Sequence, residues 1–422
     1  MNILINAYAC APNWGSEQGM AWHWITELAK MHNLYIITEG EWKKEIEEAV
    51  ALLDVKDNIH FYYNPVSDKI RSMCWNQGDW RFYWYYRKWQ KKTLAIARQI
   101  CNEHRIDIIH QLNMVGFREP GYLWKIKGIP YIIGPVGGME LTPTRFLRNL
   151  SLAIRCKISI KNGINRWQRS YSPRVRAALN RADYIIAATK GCLDFIQRHY
   201  HKDNVVLINE TGTSLEPTHN NARNFDHPGL SLLWVGKFAE RKLLNMALDT
   251  MARLADNDIR LSVVGSGNKQ EEAYYHHYAD QLGLGNRVKW LGKIPNAQIP
   301  QVMQQADLLF FTSIMEATST VVLEAITHNL PILCFDTCGF GSIVKDNVGI
   351  AIAMTSYEQA VDTFAQNIRM LLNDKNAICA YSQACDNCKH YLSWNHKAEV
   401  TTQIYNQVLA NYHSGKVQTT KN

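Results

Sequence analysis

Twice along this 422-residue chain, short apolar runs alternate with longer amphipathic stretches, and a polar segment separates the two series. The first series holds "NILINAY", "NLYIITE", "NIHFYYN", "IDIIHQL", "PYIIGPV", "DYIIAAT" and "VVLIN", with helical patterns over 21–31, 41–53 and 83–103. The second holds "LSLLWVG", "IRLSVVG", "RVKWLG", "ADLLFFT" and "LPILCFD". Its helical patterns cover 243–254, 270–282, a stretch through Glu324, 357–373 and 395–411. Parallel strands need long crossovers, so this alternation predicts parallel sheets with helices on both faces. The segment between, "NETGTSLEPTHNNARNFDHP", is rich in turn residues and reads as a linker. The expected class is therefore α/β, with two Rossmann-like doubly wound domains and a cleft between them. The expected boundaries are 1–210, a linker at 211–228, 229–394, and a terminal helix at 395–422.

Composition excludes several other classes. Apolar residues make up 46% and charged residues 20%, ordinary for a folded soluble chain. No apolar run is long enough to span a bilayer. The start, "MNILINAYACAP", has no basic residue before its apolar run, so it reads as a first strand, not a secretory leader. Ten scattered cysteines without an export signal suit a reducing compartment, and the expected location is cytoplasmic. Cys385 and Cys388, with His390 and His396, fit no common zinc spacing, and a helical "YSQACDNCKHYL" accounts for them. No metal is expected.

The net charge of +8 is local. Residues 141–182 hold Arg145, Arg148, Arg155, Lys157, Lys161, Arg166, Arg169, Arg174, Arg176 and Arg181 with no acid, and removing them takes the rest of the chain to about −2. Apolar residues such as Ile154, Ile160 and Trp167 are mixed among them. The segment reads either as a solvated helix pair or as a surface for anionic lipid headgroups or phosphates. Nucleic acid is not an expected partner, because no recognition motif accompanies the patch. A second aromatic and basic stretch, Trp80 with Phe82, Tyr83, Trp84, Tyr85 and Tyr86, reads partly as a helix face packed on the sheet, with membrane contact as the other reading.

In open α/β sheets ligands bind beyond the carboxyl ends of the strands, and this rule selects candidates. Glu316 follows "ADLLFFTS", and Glu324 lies eight positions on, inside a helix that the residue types of Thr318, Ser319 and Thr320 suggest begins there. Eight helical steps separate the acids by ~12 Å, too far to act on one atom but suited to the two ends of an extended ligand. Between them a helix start offers amides that favour an anion, most simply a phosphate. Carboxylates accept hydrogen bonds from the hydroxyls of sugar and ribose. Lys237, Arg241 and Lys242 in "WVGKFAERKLL" follow another strand and supply cations for a diphosphate. Gly265 and Gly267 in "VVGSG" end the next strand, where missing side chains let a ligand approach backbone. Taken singly, each feature has an ordinary structural explanation.

Together, in this order, these blocks resemble the retaining glycosyltransferases of family 4, which have the GT-B fold. Glu316 and Glu324 match the family's E-x7-E signature, and "VGKFAERK" stands where members carry Gly-Arg and then Lys-Gly. "VVGSG" and "VKWLGKIP" match further blocks, and "LSWNHKAEVTTQIY" is similar to the closing helix that crosses back to the first domain. The resemblance implies that Glu316 binds donor-sugar hydroxyls, Glu324 the ribose, and Lys237 and Lys242 the diphosphate, with Ala317, Thr318, Ser319 and Thr320 lining the donor site. Lys237 replaces the usual Arg, Leu243 the usual Gly, "ATSTVVL" the usual glycine-rich start, and Ser342 a frequent Glu.

In the first domain "ACAPNWGSEQGMAWHW" resembles the family's glycine loop, which places Gly15 and Ser16 beside the donor and Glu17 on the acceptor side. The spacing is not that of a dinucleotide fingerprint. His110, in "IDIIHQLN", is expected at a strand end near donor sugar and acceptor, as a catalytic residue alongside Glu316 and Lys242. Gly137 and Gly138 in "GPVGGME" are expected to shape the acceptor pocket.

The expected activity is transfer of a hexose from a nucleotide diphosphate sugar to a hydroxyl of a saccharide or lipid-linked saccharide, with retention and without metal or cofactor. The setting that the resemblance implies is cell-surface polysaccharide assembly at the inner face of the plasma membrane. The sole D-x-D, Asp256 to Asp258, precedes its strand and reads as a turn. A sugar-nucleotide epimerase of the same fold, an NAD-dependent oxidoreductase and an inactive binding module are the alternatives.

Overall fold

The computed structural model describes all residues except 76–78, 148–151, 214–222, 255–257, 346–347 and 420–422. Asp256 of the Asp256–Asp258 turn and part of the linker therefore lie outside the described residues. The chain divides into two compact units. The first comprises Met1–Leu141, Gly163–Gly212 and Trp394–Asn422; the second comprises Thr142–Asn162 and Thr213–Ser393.

The first unit is built on seven parallel strands: β1 (Asn2–Ala7), β2 (Asn33–Thr38), β3 (Ile59–Tyr63), β4 (Ile108–Asn113), β5 (Tyr131–Val136), β6 (Tyr184–Ala187) and β7 (Val205–Leu207). Their order is β3-β2-β1-β4-β5-β6-β7, so strand order reverses between β1 and β4. The inner strands are buried along their length, as expected when helices cover both sheet faces. The C-terminal helix Trp394–Thr419 packs on the helix Ser16–Ala29. Trp394 stacks on His23 with ring centroids 4.9 Å apart, and Ala398, Ile404, Tyr405 and Val408 enter the core that holds Trp24.

The second unit has six parallel strands: β8 (Leu230–Val235), β9 (Ile259–Val264), β10 (Val288–Gly292), β11 (Leu308–Phe311), β12 (Ile332–Phe335) and β13 (Gly349–Ile352). The order β10-β9-β8-β11-β12-β13 repeats the same winding, with the reversal between β8 and β11. This topology sets the loop after β8, which carries the cations, beside the loop after β11, which carries Glu316. Residues far apart in the chain thus meet because their strands are neighbours, and this is the link from chain order to chemistry.

Two features differ from expectation. β13, "GIAI", is not among the strands expected from sequence; it is four residues long and only its last residue is fully buried. Residues 142–162 belong to the second unit although they fall within the expected 1–210 domain. Phe146 explains this: it is 2% exposed, joins the second unit's core and meets the Phe335 ring edge-on at 5.3 Å.

The aromatic and basic stretch resolves in part. On the helix Arg81–Glu103, Phe82, Tyr86 and Trp89 are buried around Tyr8, whereas Trp80, Tyr83 and Trp84 are exposed. Cys385 and Cys388 lie on the helix Lys375–Leu392, Cys385 facing its core. Among the described residues no group of three metal-ligating side chains occurs, and no helix is long and apolar enough to cross a membrane.

Candidate functional site

Thr312 leads from β11 into the loop bearing Glu316, and it is the joint of the site. Its hydroxyl donates to the Lys242 carbonyl at 2.7 Å and accepts from Trp234 Nε1 at 3.0 Å. Two residues further on, the Ile314 amide donates to the Arg241 carbonyl at 3.0 Å. These bonds hold the cation loop against the acid loop. Sequence reasoning missed Thr312 and Trp234, since neither type signals a joint unless the neighbouring strands are known.

The result is a compact charge cluster. Glu316 Oε1 lies 2.8 Å from Lys242 Nζ and 2.9 Å from Arg241 Nη1. Glu316 Oε2 has no hydrogen bond or ion pair among the described residues, and this oxygen is open to a ligand hydroxyl. Lys242 is only 8% exposed and lies 4.8 Å from the Phe311 ring centroid. Burial pushes its pKa down, and Glu316 opposes that shift. Lys237, by contrast, is exposed and pairs with no acid among the described residues. Two cations are thus committed to one carboxylate and a third is free to meet an anion.

The helix Thr320–Thr327 begins directly after the Glu316 loop. Ser319 takes the N-cap position, but its side chain makes no capping bond, so the hydroxyl does not compete with a ligand for the first-turn amides. Ala317 is fixed through its carbonyl, which accepts from the Gly339 amide at 3.0 Å, and the Glu316 amide approaches Cys338 Sγ at 3.4 Å. This support from the loop after β12 was not legible in "CGFGSIV". Thr318 is buried, Thr320 is exposed, and Glu324 is exposed one turn into the helix. The surrounding protein partly desolvates the Glu324 carboxyl and raises its pKa, while the side chain stays accessible to a ligand.

Gly265 and Gly267 acquire an internal explanation. Gly265 has φ +140°, and a Cβ there would lie 1.8 Å from the Gly236 carbonyl oxygen. Gly267 sits against Glu271, which closes a capping box with Asn268 at the start of the helix Lys269–Gln281. Both glycines let the loops after β8 and β9 touch, which fixes the strand end bearing Lys237. Leu243, where relatives were expected to carry glycine, adopts φ +47° and is 4% exposed. A left-handed leucine is strained by about 1–2 kcal/mol, offset by burial of its side chain.

In the first unit the residues expected beside the donor and those expected on the acceptor side also lie at the carboxyl edge. Gly15 caps the helix Ser16–Ala29, Ser16 has φ +58°, and the Glu17 carboxylate accepts from the Val115 amide at 3.1 Å. The Gly137 amide donates to the Val115 carbonyl at 2.8 Å, and Gly138 turns the chain with φ +78°. Burial pushes the Glu17 carboxyl up to about 7. Its proton is therefore held in the fold up to neutrality, and this group's contribution to stability falls as pH rises from about 4.5 to 7.

His110 requires a correction. It is the third residue of β4, not a strand-end residue, and it is fully buried. Nε2 donates to the Gly134 carbonyl at 2.7 Å, so in the neutral ring Nδ1 accepts from the Tyr405 hydroxyl at 2.6 Å. Burial lowers its pKa to about 4. Both nitrogens are spent on tying β4 to β5 and to the C-terminal helix, which makes His110 a structural histidine in this conformation.

Two doubly wound parallel sheets with a terminal helix returning to the first unit define the GT-B fold. Anabaena HepE in complex with UDP superimposes with a TM-score of 0.57 at 15% identity, covering 98% of this chain and 100% of that one. Residues 216–388 match the model of the family described as glycosyl transferases group 1. The chain is similar to the D-inositol 3-phosphate glycosyltransferase of Nocardia farcinica, 26% identical over 178 residues, which are 41% of this chain and 39% of that protein. The enzyme of the same name from Rhodococcus jostii is 23% identical over 321 residues, 70% of this chain and 69% of that one. The chain thus spans well under half the length of the Nocardia relative.

Proposed function

We propose that this protein transfers a hexose from a nucleotide diphosphate sugar to a hydroxyl of a saccharide acceptor, with retention of configuration. The observation that carries this reading is the cluster in which Lys242 and Arg241 share Glu316 Oε1 while Lys237 and the start of the helix Thr320–Thr327 remain open. A diphosphate suits the open cation and helix start, a sugar hydroxyl suits Glu316 Oε2, and ribose hydroxyls suit Glu324. As the bond from the anomeric carbon to the leaving phosphate oxygen breaks, the acceptor oxygen bonds to that carbon on the same face. Its proton passes to the departing phosphate oxygen, so no protein base is needed. Charge growing on the diphosphate is met by Lys237 and Lys242, which gives the site an alternative to a metal ion. The similar fold of HepE holds UDP, which supports a nucleotide donor.

Product analysis tests the reading. Incubation with candidate nucleotide sugars should release free nucleoside diphosphate only when a saccharide acceptor is present, and the glycoside should keep the donor's anomeric configuration. A new sugar nucleotide formed without acceptor would show an epimerase instead, and no turnover with any donor would show a binding module.

We place the reaction at the inner face of a membrane, on a lipid-linked saccharide of cell-surface polysaccharide assembly. The helix Leu152–Tyr171 supports this: Ile160, Ile164, Trp167 and Tyr171 are exposed along one stripe, flanked by Arg155, Lys157, Lys161 and Arg166. Arg148 of the basic segment lies outside the described residues. Sedimentation with vesicles should show binding that grows with anionic lipid and fades with salt; equal, negligible binding to all vesicles would refute this placement.

A further inference from the structure

The loop after β4 carries an arginine that the fold leaves without a counter-charge. Arg118 is partly buried, and among the described residues it makes no ion pair. Its Nε donates to Asn165 Oδ1 at 3.1 Å, and Nη2 donates to the same oxygen. Asn165 is itself 7% exposed, so a neutral amide oxygen from a buried side chain fixes the orientation of the guanidinium. The Phe117 ring lies beneath, 4.9 Å from Cζ. Nη1 has no acceptor among the described residues.

The neighbouring charges do not neutralise it. Glu119 is taken by Arg87 at 2.6 Å and by Arg174 at 3.0 Å. Two arginines therefore share the carboxylate next to Arg118 in sequence. Burial lowers the Arg118 pKa, and the phenol of Tyr83 opposes that shift. A guanidinium held in place, partly desolvated and unpaired is an incomplete ion pair, and an incoming oxyanion completes it.

Its position says which oxyanion. The Phe117 amide donates to the Gly137 carbonyl at 3.2 Å, and the Val115 amide donates to Glu17, so Arg118 rides on the loop that joins the acceptor-side glycines. Arg169, one turn beyond Asn165, donates to the Met139 carbonyl at 2.6 Å and holds the other acceptor-side loop. One helical segment thus orients both. We infer that Arg118, oriented by the Asn165 amide oxygen, binds a phosphoryl group carried by the acceptor. The guanidinium is a fixed planar fork whose Nη1 stays open among the described residues, and phosphoryl oxygens accept from such a fork. The inference rests on the transferase reading only for calling the bound molecule an acceptor; the anion site stands separately.

The test is a calorimetric titration of the full chain with glycerol 3-phosphate and, separately, with monomeric dihexanoylphosphatidic acid. Arg118→Gln should weaken both by about ten-fold or more, whereas Arg118→Lys, which keeps the charge without the fork, should fall between wild type and Gln. Melting curves verify that each variant folds, and the Lys variant serves if Arg118→Gln does not. Tighter binding of the lipid assigns a lipid-borne phosphate; tighter or equal binding of glycerol 3-phosphate assigns a soluble one. Lys237→Gln, on the donor side, should leave both unchanged. If Lys237→Gln abolishes binding while Arg118→Gln does not, or if wild type binds neither probe, the site is refuted. Failure of the donor reading would appear elsewhere, as nucleoside diphosphate binding insensitive to Lys237→Gln.

Discussion

Glu316→Gln is expected to lower turnover by about a hundred-fold while leaving nucleoside diphosphate affinity within about three-fold of wild type. The side chain keeps its shape but loses the charge that balances Lys242 Nζ at 2.8 Å and, on the proposed reading, orients a donor hydroxyl. A second consequence follows from burial. Lys242 is 8% exposed and would face that environment without its anion, at a cost of roughly 2 kcal/mol, below the value for a fully buried broken pair because both groups retain some solvent contact. Burial already pulls its pKa below the ordinary 10.5, and removal of Glu316 pulls it further. A lysine with a depressed folded-state pKa is a cost at low pH, where it must stay charged, and the cost is relieved as pH rises from the lowered value toward 10.5. The melting temperature of Glu316→Gln should therefore trail wild type more at pH 6 than at pH 9. A deficit that widens toward pH 9 would mean that Lys242 does not bear this strain.

Gly265→Ala is expected to destabilise the second unit by about 3 kcal/mol or more and to abolish donor binding. The added Cβ would lie 1.8 Å from the Gly236 carbonyl oxygen, and φ +140° is a conformation that side chains rarely adopt. Backbone must move, and the backbone that moves leads into Lys237. Gly163→Ala is the control: it lies within the helix Leu152–Tyr171 with nothing within 4 Å of its Cβ position. That substitution should stabilise by about 0.5–1 kcal/mol through helix propensity. Urea unfolding of both variants measures the contrast. Equal stability of the two would show that the loops after β8 and β9 are not locked together.

Much of this arrangement is legible in the chain. Strands such as "LSLLWV" and "ADLLFF" are largely buried, so they read as nearly unbroken apolar runs, and their ends place Glu316 and Lys242 at the binding edge from sequence alone. What the sequence hides is whatever depends on pairing. Thr312 and Trp234 matter because β8 and β11 are neighbours, a fact of sheet order that no local pattern encodes. His110 is misplaced by sequence for a related reason: strand ends blur by a residue or two, and only its hydrogen bonds to Gly134 and Tyr405 identify it as interior. The glycines of "VVGSG" suggest ligand approach, yet their first duty is to let two loops touch. Residues 142–162 look like an extension of the first domain until Phe146 is seen in the second core.

On the proposed reading, the loop from Lys237 to Lys242, steadied by Glu316, grips a diphosphate. Titration of wild type, Lys237→Gln and Lys242→Met with UDP and GDP tests this most directly. At least one nucleotide should bind wild type and weaken about ten-fold or more in each variant, with the corresponding nucleoside monophosphate binding less tightly and responding less. Nucleoside diphosphate binding that is equal in all three proteins would contradict the account.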